Sequence, residues 1–283
     1  MSVGVRPLEG LWTFVARAAL EPESALEQRV EGLRRLGARP YGVLGDSHGR
    51  HLIRRDRRAG AWLAPIATLA SSASARGLGR SDGRSGAGLR IRADLERLLG
   101  IPGLPILMKF GQVDIEFVQV FKRLAAEQAG FDLTVFDAFA DETIQLYVAF
   151  LAQVVPPTQR SRVRVMSLFP PALSDDAWRA GYLNAHMVAV HGPADAADLA
   201  VRLGRVEIPD LAQRTALHAA VNARLRAAVA AEGFAWGDDF TPNLGAGGVL
   251  DTRWLGKAAG RDHHLDFHAA RRTALDQLWP ILE

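Results

Sequence analysis

Short apolar runs that stop at glycine or proline alternate along this chain with longer segments of helical periodicity, and that alternation restricts the fold more than anything else in it. Glu23 to Leu36 sets Leu26, Val30, Leu33 and Leu36 on one helical face before Gly37 ends it. Arg39-Pro40 then leads into a strand over Tyr41 to Leu44, and a second strand is expected over Trp62 to Leu69. The Ser- and Gly-rich segment from Ser71 to Gly88 reads as loop, after which Leu89 to Leu99 resumes helical spacing. Pro105 to Phe110 is apolar apart from Lys109, the pattern of a strand buried on both faces. Ile115 to Ala129 and Ala138 to Val154 predict helices, and Arg162 to Phe169 a strand that stops at Pro170-Pro171. Leu211 to Glu232 predicts an Ala-rich helix closed by Gly233. A short apolar piece, Phe234 to Trp236, follows it, and Phe267 to Leu282 is again helical. Strands separated by helices form a parallel sheet covered on both faces, so the expected class is α/β. Neither an internal repeat nor a long linker divides the chain. One domain over 1–283 is expected, with 1–38 as a helical extension.

Composition removes several classes. Hydrophobic residues make up 48% and charged residues 23% of the 283, ordinary globular values that leave no room for a disordered chain. The net charge of +3 is small, and its one dense basic cluster, Arg54, Arg55, Arg57 and Arg58, reads as a solvated helix face. No nucleic-acid motif accompanies it. The absence of cysteine excludes disulfides, thiolate metal sites and a Cys nucleophile. Met1 to Phe14 lacks a basic segment followed by a long apolar run, and no stretch approaches a membrane span. No membrane partner is expected, and the expected compartment is the cytoplasm.

Three polar segments follow predicted strands or precede the last helix. Gly45-Asp46-Ser47-His48 comes straight after Tyr41 to Leu44, a strand-to-helix corner that exposes a hydroxyl beside the N–H groups of a helix start. A βα turn that merely contains Ser is the plain alternative. Lys109-Phe110-Gly111-Gln112-Val113-Asp114 repeats the strand, glycine and polar order, and Arg261-Asp262-His263-His264-Leu265 precedes the final helix. In open α/β sheets the ligand crevice lies beyond the carboxyl ends of the strands, so segments far apart in sequence converge there. A Ser, a His and an Asp brought together in that crevice can act as nucleophile, base and orienter.

In these blocks and their order the chain resembles the GDSL-type, or SGNH, hydrolases over about Tyr41 to Leu265. The resemblance implies a three-layer αβα sandwich with a mainly parallel, flavodoxin-like sheet, and ester hydrolysis or acyl transfer without a cofactor. It implies Ser47 as nucleophile, His264 as base and Asp262 as orienter. The oxyanion donors would be the N–H groups of Ser47 and Gly77, with Gly79 a close rival, and the Gln112 side-chain amide. A small-molecule or carbohydrate O-acyl ester is the implied substrate. Two blocks depart from the family pattern. Gln112 stands where Asn is usual, and Asp262 precedes His264 by two positions rather than three, which leaves His263 as a second candidate base.

Other readings compete. Asp46-Ser47-His48-Gly49 also resembles the opening of calcineurin-like metallophosphoesterases, with Asp46 and His48 as metal ligands, although no Asn-His pair or Gly-His-x-His run follows. A non-catalytic binding module on the same scaffold is a third reading. Asp114 is expected to brace the crevice loops. Trp62, Trp178, Trp236 and Trp254 are candidates for core or for a sugar cleft. Leu244 to Gly248 is expected to be a flexible loop, and Arg179 to His186 a surface excursion.

Overall fold

Strand residues that read as uniformly apolar divide between two covered faces. The computed structural model describes residues 23–71, 73–80, 86–182, 201–266, 268 and 271–282. Six strands form its sheet: β1 (Ala38–Gly45), β2 (Arg57–Arg58), β3 (Ala61–Leu69), β4 (Ile106–Lys109), β5 (Val163–Met166) and β6 (Ala235–Gly237). The helices are α1 (Glu23–Arg35), α2 (Ala87–Leu99), α3 (Gln119–Ala125), α4 (Leu133–Val154), α5 (Asp175–Arg179), α6 (Leu211–Ala231) and α7 (Arg271–Ile281). Leu44, Ile66, Ile106, Met108, Val163 and Val165 face a core completed by Val30 of α1, Ile91 of α2, Ile144 of α4 and Leu225 of α6. Tyr41, Val43, Leu63, Leu107 and Met166 face the other way, onto Leu278 and Trp279 of α7. The result is a three-layer αβα sandwich.

Across the sheet the order is β2-β3-β1-β4-β5-β6. Every pairing is parallel except the β2–β3 hairpin. With that hairpin strand set aside, β1 lies between β3 and β4, the flavodoxin-like order in which the crevice opens where strand order reverses. The segment after β1 therefore enters the crevice.

Several expectations need correction. The basic cluster is no helix face: Arg57 and Arg58 form the edge strand β2, and Arg54 is buried. Ala59 and Gly60 make its turn with positive φ, and Arg58 reaches Asp276 of the last helix. Charge on an edge strand discourages a further strand from adding to it. The helix expected from Ile115 opens as a π turn over Asp114–Val118, and α3 stops at Ala125. Trp178 and Trp254 are core, while Trp62 is 53% exposed. The Gly-rich Leu244 to Gly248 is a tight turn rather than an open loop, closed by a 2.7 Å bond from the Gly245 N–H to Val249 and bridged from Leu244 to Leu250. Leu183 to His186 lie outside the described residues. Among those residues no helix is long and apolar enough to cross a membrane.

Helix α4 starts earlier than its apolar periodicity predicts because Asp132 caps it, accepting from the N–H groups of Thr134 and Val135 at 2.8 and 3.2 Å. An Asp cap satisfies donors that the helix itself leaves over. Asp132→Ala is expected to lower unfolding free energy by about 1 kcal/mol, measured by urea denaturation.

Candidate active site

The corner after β1 is tight because two strand ends meet there. A Cβ on Gly45 would lie 2.8 Å from the Lys109 carbonyl, so only glycine fits. That same carbonyl accepts from the Asp46 N–H at 3.1 Å. Asp46 then caps a short 3₁₀ turn, Ser47–Leu52. Its Oδ1 accepts from both the backbone N–H and the ring Nδ1 of His48, each at 2.7 Å. Asp46 is fully buried, and the loss of hydration pushes its carboxyl up to about 7. Ser47 stands at the start of this turn, 9% exposed, and its N–H has no acceptor among the described residues.

The segment before α7 supplies the opposite side. His264 Nε2 lies 2.8 Å from Ser47 Oγ, across 217 positions of sequence. The His264 Nδ1–H donates to Asp262 Oδ1 at 2.9 Å, and the His264 backbone N–H donates to the same oxygen at 3.1 Å. A ring that donates from Nδ1 presents a lone pair at Nε2, so the Ser47 hydroxyl is the donor in their contact. The hydrogen bond from the His264 ring holds the Asp262 carboxyl well below the usual carboxylate range.

This geometry accounts for the two-residue spacing. An Asp side chain readily bonds the backbone two residues on, and at Asp262 that turn also brings the ring of His264 to the same oxygen. Asp46 and His48 repeat the arrangement, so two Asp-x-His turns stand side by side with their rings 5.1 Å apart. His263 is not presented to Ser47. Its Nδ1 meets the Tyr182 hydroxyl at 2.6 Å, and its ring stacks on His264 at 3.8 Å. Burial drives the pKa of both His48 and His263 down, so both rings are held neutral.

Two expected oxyanion donors are otherwise engaged. The Gly77 N–H lies 3.0 Å from both the Ser74 hydroxyl and the Ser74 carbonyl, because Ser74 caps the turn that contains it. The Gln112 amide pairs in both directions with the backbone of Phe169: its Nε2–H donates to the carbonyl and its Oε1 accepts from the N–H, each at 3.1 Å. Its other N–H goes to Glu116. The longer arm of Gln makes a structural clamp here and leaves no donor for a ligand. Asp114 does brace the crevice, accepting from the Ala75 and Arg76 N–H groups at 2.6 and 3.4 Å.

Beneath the corner lies a buried network that the motifs do not announce. Lys109 Nζ is 3.1 Å from Asp239 and donates to the Ser167 carbonyl. The Ser167 hydroxyl donates to Asp239 at 2.5 Å. His51 joins Asp239, at 2.9 Å, to the carbonyl of His48, at 2.8 Å. Asn222 of α6 pairs both ways with Leu168 at 2.8 and 2.9 Å, as Gln112 does with Phe169. The Phe169 ring in turn packs 5.6 Å from those of His48 and His51. Side chains thus stand in for a neighbouring strand along Ser167 to Phe169. The one local hint was Lys109 interrupting an apolar strand.

No protein-family model matches the chain, and no curated protein sequence matches it. Among solved structures it is similar to one from Bacteroides fragilis described as a "putative acylhydrolase", at 10% identity and a TM-score of 0.43. That alignment covers 93% of this chain and 100% of the other.

If Gln112 is a clamp, Gln112→Leu strands a buried N–H and a carbonyl of Phe169. The expected loss is about 1–3 kcal/mol for each group left unpaired, measured as a drop in the urea midpoint at constant m-value.

Proposed function

We propose that the chain is a serine-dependent esterase or acyltransferase of the SGNH type. The observation that carries this reading is the relay in which Ser47 Oγ faces His264 Nε2 at 2.8 Å while His264 Nδ1 donates to Asp262 at 2.9 Å. In the proposed reaction His264 takes the hydroxyl proton as Ser47 Oγ attacks an ester carbonyl. Asp262 holds the ring in the tautomer that can accept and stabilises the imidazolium that forms. Negative charge then develops on the former carbonyl oxygen, where the Ser47 N–H is available to meet it. His264 returns the proton to the departing alcohol, leaving an acyl group on Ser47. Water, or the hydroxyl of a second substrate, attacks that acyl-enzyme with His264 again as base. Water makes the chain a hydrolase, and an acceptor alcohol makes it a transferase.

A small-molecule or carbohydrate O-acyl ester is the substrate class proposed, on the resemblance of the sequence blocks. The metal-dependent phosphoesterase reading fits less well, since Asp46 Oδ1 and the Nδ1 of His48 are bonded to each other. It also lacks the further ligand runs such a centre needs.

A fluorophosphonate probe distinguishes these readings. Wild-type protein is expected to be labelled at Ser47 and to hydrolyse p-nitrophenyl acetate, and Ser47→Ala to lose both while keeping its melting temperature within a few degrees. Ester turnover surviving in Ser47→Ala would overturn the assignment of the nucleophile. A wild-type protein that neither labels nor turns over ester would favour the binding module.

A further inference from the structure

The proposed relay uses one of three imidazoles gathered at the crevice. We infer that His48, His263 and His264 together form a binding site for a divalent transition-metal ion of the zinc class. One ring nitrogen from each residue lies within 4.8 Å of those of the other two. Two ligands of a tetrahedron with bonds of about 2.1 Å lie about 3.4 Å apart, so binding an ion requires the three rings to draw together.

Three further observations point to a ligand. His48 is 2% exposed, and its Nε2 has no hydrogen-bond partner among the described residues. Buried ring nitrogens are almost always satisfied, so an orphan beside two other imidazoles calls for an explanation. Each ring is also fixed from behind through Nδ1: His48 by Asp46 at 2.7 Å, His263 by Tyr182 at 2.6 Å, and His264 by Asp262 at 2.9 Å. For His48 and His264 this is the outer-shell pattern of metal-ligating histidines, in which a carboxylate on Nδ1 sets the tautomer and leaves Nε2 to the ion. The site requires the Tyr182 hydroxyl to accept from His263 Nδ1–H in the same manner. Finally, an all-imidazole donor set selects zinc, copper or nickel and disfavours magnesium and calcium, which take oxygen ligands.

His264 belongs to both arrangements. Its Nε2 lone pair can face an ion or accept the Ser47 proton, never both, so a bound ion suppresses reaction at Ser47. That consequence rests on the serine reading. The metal site does not.

The test begins with chelator-treated full-length protein titrated with zinc chloride by isothermal calorimetry, with magnesium and calcium chloride as controls. One zinc ion per chain is expected, with no heat from either control. His263→Gln, which removes a ligand, is expected to weaken binding at least 10–100-fold, the loss that even an outer-shell partner causes. Tyr182→Phe leaves all three ligands in place and is expected to lose about 10–100-fold; it also serves if His263→Gln does not fold. Absence of zinc binding in the wild type, or zinc binding unchanged in both variants, overturns the site. Fluorophosphonate labelling of wild type is then compared with and without zinc. Labelling blocked by zinc and restored by chelator supports the competition, and labelling indifferent to saturating zinc overturns it. If metal-free protein never labels but zinc binds in a Tyr182-dependent way, the metal site stands and the serine reading falls.

Discussion

The ion pair between Lys109 and Asp239 is the contact on which the crevice depends. Both groups are buried, and an isolated charge at such depth costs several kcal/mol unless a partner and hydrogen bonds answer it. Here the answering groups come from four places in the chain. Lys109 ends β4, Ser167 follows β5, Asp239 follows β6, and His51 lies in the turn that carries Ser47. Removing one charge leaves the other unpaired, which typically costs about 3–5 kcal/mol. The strand ends thus share one electrostatic fastening, and the corner at Ser47 is secured from below as well as by its own cap.

Above that layer, the candidate site is built by repeated use of one local motif. Asp46 and Asp262 each fold back on the backbone two residues further on and hold the histidine ring there with the same oxygen. Asp266 bonds the N–H of His268 at 3.0 Å in the same way. The motif is stiff, local and independent of the sheet. Placed once after β1 and once in the segment before α7, it delivers two imidazoles to ring centroids 5.1 Å apart, and His263 lies against both. The proposed relay and the proposed metal site then differ in what meets Nε2 of His264, the Ser47 hydroxyl that lies there or an ion in its place.

Much of this was legible in the residues, for physical reasons. Gly37, Gly111 and Gly233 take positive φ just past an element, so the ends expected beside them fall within a residue of those observed. Ser47 stood out by its place after the first strand and His264 by the resemblance of the final block, and the structure places their side chains 2.8 Å apart. What escaped depends on partners chosen in three dimensions. Gln112 spends its amide on Phe169, 57 positions away, and Lys109 meets Asp239 across 130 positions. Nothing in the local sequence announces either pairing. The β2–β3 hairpin was hidden because its turn places Ala59, rather than the usual Asn or Asp, at positive φ before Gly60. The N–H of Gly77 looked available only because the cap by Ser74 could not be seen.

The contact between Ser47 and His264 spans 217 positions, and the sheet lies between them in chain order. Closing so long a loop has an entropic cost, which the packing of the intervening elements offsets. All strands but β1 belong to that interval. The hydroxyl therefore keeps its imidazole neighbour only while that long-range packing is intact, and a molecule loosened anywhere along the interval holds the serine without it.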